Sequence, residues 1–177
     1  SMDKSHTEIY KDISDVYEKK RDFPKAIEAY KNYLDEMKSS PDISDLFLYG
    51  RLNYYAATDS AYQDKQPTYL AEADTIFAQV AVKVPDNYLG NFWRARVNSL
   101  RDPETTQGLA KPYYEAALSI LEQKPDATKS VLVECNSYLG YYYFVKEDYN
   151  QSKQYWNKIL EIDPENETAT KALGGIK

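Results

Sequence analysis

Cysteine and histidine are almost absent from this chain of 177 residues, which contains one of each. The single cysteine, Cys135, excludes an internal disulfide, and its apolar neighbours favour a buried thiol over a nucleophile. The single histidine, His6, excludes a His-based catalytic triad and any metal site with several histidine ligands. We therefore expect no catalysis and no metal site.

Other features are scarce as well. No segment approaches the roughly 18 consecutive apolar residues that span a bilayer, and none of the six glycines belongs to a glycine-rich phosphate loop. The net charge is −6, from 22 basic and 28 acidic side chains, whereas nucleic acids and anionic membranes select clustered basic residues. We expect no cofactor, no nucleic acid and no insertion into a membrane.

Tyrosine, in contrast, is abundant, with 18 residues against 5 phenylalanines. A tyrosine covers apolar area and keeps a polar tip, which suits surfaces that combine packing with recognition. The densest cluster is YLGYYYF at 138–144, which has five rings in seven positions. Because successive helix residues turn by about 100°, these rings cannot share one face. We predict that they divide between the core and an exposed surface.

Prolines recur at positions 41, 85, 125 and 164, each beside an aspartate, at intervals of 44, 40 and 39 residues. Such a period is typical of helical solenoids, and apolar residues recur at helical spacing between the prolines. A proline disfavours the helical region for the residue before it, and the neighbouring aspartate can cap the next helix. We predict an all-α fold built from units of two helices.

Small residues occupy matching positions in these units. They are Ser14, Gly50, Ala95 and Gly140 in the first helices, and Ala26, Ala73, Ala110 and Ser152 in the second. Small side chains let paired helices approach to the lower end of the roughly 8–10 Å range. A glycine in mid-helix costs roughly 1 kcal/mol, so we expect Gly50 and Gly140 to serve close packing.

The last unit resembles a tetratricopeptide repeat (TPR). Leu139-Gly140, Tyr143, Asp148-Tyr149, Trp156 and Pro164 fit the family pattern without a gap, and the first unit is similar. The resemblance implies a right-handed α-solenoid of about four hairpins and a C-terminal capping helix. The expected segments of this single domain are a tag remnant and disordered start at 1–5, units at 6–40, 42–84, 86–124 and 126–163, and a cap at 165–175.

The two middle units depart from the pattern in their turns. We predict that the first helix of the second unit continues to about Lys65 and carries Tyr62 beyond its neighbours, the alternative being a disordered loop. In the third unit, RDPETTQ adds a short insertion to the turn.

The resemblance also implies a concave wall of first helices. Its first quarter is charged, and the remainder holds the candidate binding residues, which are Phe47, Arg51, Tyr54, Tyr55, Phe92, Arg96, Tyr141 and Phe144. We expect the two arginines, at equivalent positions, to bind a carboxylate or phosphate. The alternative is that each pairs with a nearby acid such as Asp45 or Asp59. A carboxylate clamp for peptide C-termini is rejected, because Asp15, Leu48 and Leu89 stand where it needs Asn, Asn and Lys or Arg.

The expected function is that of a non-catalytic scaffold that binds a peptide segment of another protein in this groove. Two alternatives stay open: small-ligand or glycan binding by the tyrosines, and a structural end piece of a longer solenoid. We expect a monomer or a weak homo-oligomer. Segments such as FWRARVNSLRDPETTQ resemble bacterial TPR proteins and favour the periplasm or cell envelope over the cytoplasm, although the compartment is left open.

Overall fold

The computed structural model describes residues 2–37, 39–124 and 126–176, with side chains described from Thr7 onward. Ser1 of the expected tag remnant and Pro125 of the proline series lie outside the described residues. All regular elements within them are helical. They are α1 (Met2–Lys19), α2 (Phe23–Glu36), α3 (Ile43–Thr58), a 3-10 helix (Ser60–Lys65), α4 (Gln66–Lys83), α5 (Leu89–Arg101), α6 (Lys111–Leu121), α7 (Lys129–Val145), α8 (Tyr149–Ile162) and α9 (Glu167–Gly175).

The chain divides into two compact units, Ser1–Val84 and Pro85–Lys177. In the first unit α1 packs on α2 and α3 on α4; in the second, α5 packs on α6, α7 on α8 and α9 on α8. Four helical hairpins with a terminal helix confirm the predicted all-α repeat fold. α1 begins at Met2, within the segment that was expected to be a disordered start.

The first and last hairpins turn in the same way. Arg21 and Glu147 take left-handed backbone conformations with φ of 59° and 60°. The next residue in each case is an aspartate that caps the second helix: Asp22 accepts the backbone N–H of Lys25, and Asp148 accepts that of Gln151 at 3.1 Å. Both hairpin turns are therefore capped by an aspartate.

Small residues hold the hairpins together, as predicted. A Cβ at Gly50 would lie 2.8 Å from Phe77, and one at Gly140 would lie 2.7 Å from Trp156. Ser152 donates a hydrogen bond to the carbonyl of Gly140 at 2.8 Å, and Ser14 makes the equivalent bond in the opposite direction, from the first helix to the second, at 2.8 Å. Any larger side chain would separate the paired helices.

The caps at the proline boundaries confirm the prediction only in part. Asp42 accepts the backbone N–H of Asp45 at 2.8 Å, as expected for SPD. At VPD and DPE the capping residue is the next one, Asn87 or Asn166, which accepts from Leu89 at 2.9 Å or from Ala169 at 3.0 Å. The proline and its acidic neighbour form a turn there, so the helix begins later.

The predicted long helix in the second hairpin is wrong. α3 ends at Thr58, because Asp59 is extended (ψ 125°) and its carboxylate accepts the backbone N–H of Ala61 at 2.9 Å. The 3-10 helix then folds Tyr62 back, so that its hydroxyl donates to the carbonyl of Arg21 at 3.1 Å. The segment is therefore neither a projecting helix nor a disordered loop.

The insertion in the third hairpin is organised around Asp102, which is 3% exposed. Its Oδ2 accepts the backbone N–H groups of Gln107 at 3.0 Å and Gly108 at 2.7 Å. Burial opposes ionisation of this carboxyl, but the backbone donors outweigh it and lower the pKa of Asp102. The turn places Gly108, with φ 72°, against the ring of Tyr142 on α7.

Candidate binding surfaces

The eight predicted binding residues lie on the first helices of three hairpins. Four are on α3 in the first unit, and the other four are on α5 and α7 in the second. Their surroundings differ more than their matching positions in the repeat suggest.

The three rings on α3 are half-buried. Phe47 meets Phe77 edge-on with centroids 5.8 Å apart, and Tyr55 lies 6.0 Å from Tyr54. Each ring therefore shares its area between core packing and the surface. The guanidinium of Arg51 lies 5.7 Å from the centroid of Tyr55, which is within cation–π range.

Arg51 makes one ion pair with the described residues, and that pair is long. Its Nη2 lies 3.4 Å from the carboxylate of Glu18, whereas a good charge-assisted hydrogen bond measures about 2.7–2.9 Å. Its Nε is buried and has no hydrogen-bond partner among the described residues. Arg51 therefore keeps donor capacity that an anionic group could use.

Arg96, in the equivalent position on α5, makes short hydrogen bonds to an acid. Its Nε and Nη2 donate to the two carboxylate oxygens of Glu134 at 2.7 and 2.6 Å. Its guanidinium also lies 4.5 Å from the centroid of Phe92. The predicted alternative of pairing with an acid therefore describes Arg96, although the acid is Glu134.

Glu134 is part of a cluster of one tyrosine, one acid and one cation, which we call a joint. The described residues of each unit contain such a joint, and neither joint was predicted from the sequence. Tyr114 on α6 donates to Glu134 at 3.2 Å, and Tyr30 on α2 donates to Asp45 at 3.3 Å. Burial, reinforced by the nearby carboxylate, raises the pKa of both tyrosines. A cation on the preceding first helix completes each joint: Arg96 in one and Lys11, at 3.2 Å from Asp45, in the other.

A sequence signal for these joints does exist. Tyr30 and Tyr114 each lie four residues after the small residue of the second helix, Ala26 or Ala110. An acid follows near the start of the next first helix. The two acids predicted as alternative partners of the groove arginines pair with other cations. Asp45 pairs with Lys11, and Asp59 pairs with Arg21.

Phe92 is not available to a ligand. It is 3% exposed and packs edge-on against Tyr114 at 6.3 Å, so its predicted place on a binding surface is corrected to the core.

Tyr141 and Phe144 are the exposed rings of the predicted set, at 44% and 42%. They line a pocket of about 240 Å³ between α7, α8 and α9. Its other walls are Trp156, Lys171, Ala172, Gly175 and Ile176. The terminal helix, expected only to cover the end of the repeat, thus also builds one side of this pocket.

The remaining rings of YLGYYYF are half-buried and pack against other parts of the second unit. Tyr143 stacks on Tyr155 with centroids 5.6 Å apart and planes 8° apart, and Tyr138 lies 4.6 Å from Tyr114. Tyr142 contacts the insertion turn at Gly108. The predicted division between packed and exposed rings is therefore observed.

Reactive groups are few in the described part of the chain. Cys135 is fully buried, and burial raises the pKa of its thiol to about 12, which confirms an unreactive cysteine. Among the described side chains no three or more His, Cys, Asp or Glu residues gather in a way that could hold a metal ion. None of the described helices is long and apolar enough to cross a membrane.

Solved structures resemble this chain, and these include the following two. One is the C-terminal part of a TPR repeat-containing protein from Cytophaga hutchinsonii, with a TM-score of 0.82 and 31% identity over 96% of this chain. This chain spans 61% of that structure. The other is the MamA RS-1 ArsTM double mutant, with a TM-score of 0.69 and 18% identity, covering 96% of this chain and 82% of that one. No protein-family model and no curated protein matches the sequence.

Proposed function

Because this chain belongs to the tetratricopeptide repeat proteins, we propose that it is a non-catalytic interaction scaffold that binds a peptide segment of another protein. The observation that carries the proposal is the pocket under Tyr141 and Phe144. These are large rings that remain more than two-fifths exposed beside an apolar pocket of about 240 Å³. A peptide that inserts one aromatic or branched apolar side chain there would bury area that the chain leaves in water.

The charge at the rim of the pocket indicates which peptides it would prefer. Lys171 is the charged residue that lines it, and its ion pair with Glu167 is a solvent-exposed i,i+4 pair of little strength. An acidic residue beside the apolar anchor of the peptide would therefore find a cation at the rim. In the first unit, Arg51 offers a second place for a carboxylate.

The test removes the rings and measures peptide capture. The double variant Tyr141→Ala/Phe144→Ala should lose at least tenfold in affinity for peptides selected against the wild type from a displayed library. The variant should stay folded, because both side chains are surface residues at 44% and 42% exposure. The matched control is Val82→Ala, which removes an 81% exposed apolar side chain elsewhere. Equal capture by the double variant and the control would refute a peptide site at this pocket.

Arg51 is tested by Arg51→Glu, with Lys31→Glu as an exposed control that carries the same charge change. Only the first should weaken peptides that contain acidic residues. Arg96→Glu is unsuitable, because it would place a second acid against Glu134. A sugar selected on a glycan array, with no peptide selected from the library, would favour the alternative of glycan binding. Placement in a bacterial cell envelope stays a prediction, which fractionation of the source cells would test.

A further inference from the structure

A larger cleft lies elsewhere in the second unit, between α6, α7 and α8, and has a volume of about 450 Å³. This size falls within the roughly 300–1,000 Å³ of small-molecule sites. Its apolar walls are Leu118, Leu121, Ala127, Leu132 and Ile162. On α7 it involves Asn136, which lies about 140° around the helix from Tyr141, since five residues turn the helix by about 500°. The cleft is therefore separate from the proposed peptide pocket.

Asn136 is the unusual group in this cleft. It is 1% exposed, and its Nδ2 donates to the carbonyl of Leu132 at 2.7 Å. Its Oδ1 is buried without a partner among the described residues. Reversing the amide would bring two oxygens together at Leu132, so the orientation is fixed by that bond. The cleft therefore contains an acceptor that lacks a donor, which is rare inside proteins.

The fold itself does not require an asparagine at this position. Asn136 lies four residues before Gly140; the same position is Leu46 in the second hairpin, four before Gly50, and the half-buried Asn91 in the third, four before Ala95. Leu46 is buried at 6% exposure as an ordinary core residue. An unpaired polar group kept where an apolar one packs indicates a role other than folding.

The charges around the cleft are mixed, with an excess of cations. Lys124 and Lys129 are exposed, whereas Lys158 pairs with Glu122 at 2.8 Å. Glu161 also lines the cleft, so three lysines face two glutamates. A carboxylate would find unneutralised positive charge at the rim, while its apolar part lies on the leucines.

We propose that this cleft binds a small amphipathic carboxylic acid whose apolar part carries an N–H or O–H group. That group donates to Oδ1 of Asn136, the apolar part packs against Leu118 and Leu132, and the carboxylate faces Lys124 and Lys129.

Two probes have this chemistry: 3-(indol-3-yl)propionate and 3-(4-hydroxyphenyl)propionate. Titrated into isotope-labelled protein, at least one should shift amide resonances of α6, α7 and α8 in a saturable way, with a Kd of about 1 mM or tighter for a ligand of this size. The N-methylindole analogue, which lacks the donor, should bind at least tenfold more weakly. So should 3-propylindole, which lacks the carboxylate.

The variant Asn136→Leu should lose at least tenfold in probe affinity and melt at a higher temperature than the wild type, because it removes the unpaired acceptor. Asn91→Leu changes the equivalent residue of the preceding hairpin and should leave probe affinity unchanged. Lys124→Glu/Lys129→Glu tests the rim without altering the core. The proposal is overturned if neither probe gives saturable shifts, which would identify a cleft that holds water only. It is also overturned if the wild type binds the donor-free analogue as well as its parent, because the buried oxygen of Asn136 would then not take part in binding.

Discussion

The joint at Glu134 gives the sharpest test of how the hairpins are held together. Replacing Glu134 with Gln keeps the size of the side chain and one acceptor oxygen but removes the charge that receives both Arg96 donors, at 2.7 and 2.6 Å. The two side chains are 31% and 33% exposed, so solvent weakens the pair relative to a buried one. We expect a loss of about 1–2 kcal/mol in the free energy of unfolding, between the values typical of surface and buried charge-assisted bonds.

Both tryptophans of the chain, Trp93 and Trp156, lie in the second unit, so their fluorescence during urea unfolding reports on that unit alone. The matched control is Glu122→Gln, whose pair with Lys158 is about half exposed on each side and should contribute at most about 1 kcal/mol. A loss for Glu134→Gln no larger than that of the control, with unchanged denaturant dependence, would refute the joint as a source of stability.

Three further outcomes are expected from the same unfolding assay. Gly140→Ala should destabilise the second unit by about 1–3 kcal/mol, because its methyl group would overlap the ring of Trp156. The control Gly174→Ala has no neighbouring atom within 4 Å and should be neutral or slightly stabilising. Equal effects of the two substitutions would contradict close packing at Gly140. The pKa of Asp102 is lowered in the fold, so its contribution is present above the ordinary carboxyl range near pH 4 and disappears as the pH falls through the lowered value. Asp102→Asn should therefore cost more stability at pH 7 than at acidic pH, and a loss that does not shrink as the pH falls would count against the ionised form. The pKa of Tyr114 is raised, so its contribution is complete below the ordinary tyrosine pKa near 10 and is lost as the pH rises beyond it. Tyr114→Phe should make the alkaline fall in stability shallower, and an unchanged slope would speak against this assignment.

The sequence was sufficient for the helical hairpins because each depends on short-range features. The apolar spacing and the aspartates at the hairpin turns act within one or two helical turns, and Gly50 and Gly140 each pack on the second helix of their own hairpin. The prediction of where α3 ends was wrong because that end depends on a long-range contact. Asp59 ends that helix, but it also accepts a hydrogen bond from Arg21, 38 residues earlier, and this pairing is not visible in the local pattern.

The candidate site was predictable in its rings and less so in its charges. Tyr141 and Phe144 are exposed as expected, because α8 and α9 line the pocket beside these rings without covering them fully. The equivalent arginines diverge because their partners lie on different neighbours: Arg51 reaches back to α1 at 3.4 Å, whereas Arg96 reaches forward to α7 at 2.6 Å. Two arginines at equivalent repeat positions start from equivalent points on their helices, but they can pair with different acids.

The charged first quarter of the predicted wall leads to the same conclusion. Lys11 is bound to Asp45, and Glu18 faces Arg51, so charges that looked available for a ligand connect successive first helices instead. A scaffold whose polar groups hold its own hairpins in register has fewer of them left for recognition. Exposed rings then supply most of the contact area that a partner can bury, since an aromatic ring contributes more buried apolar area than a solvated ion pair contributes electrostatic energy. The proposed peptide binding therefore depends on the few rings that stay exposed, such as Tyr141 and Phe144, more than on the net charge of the chain.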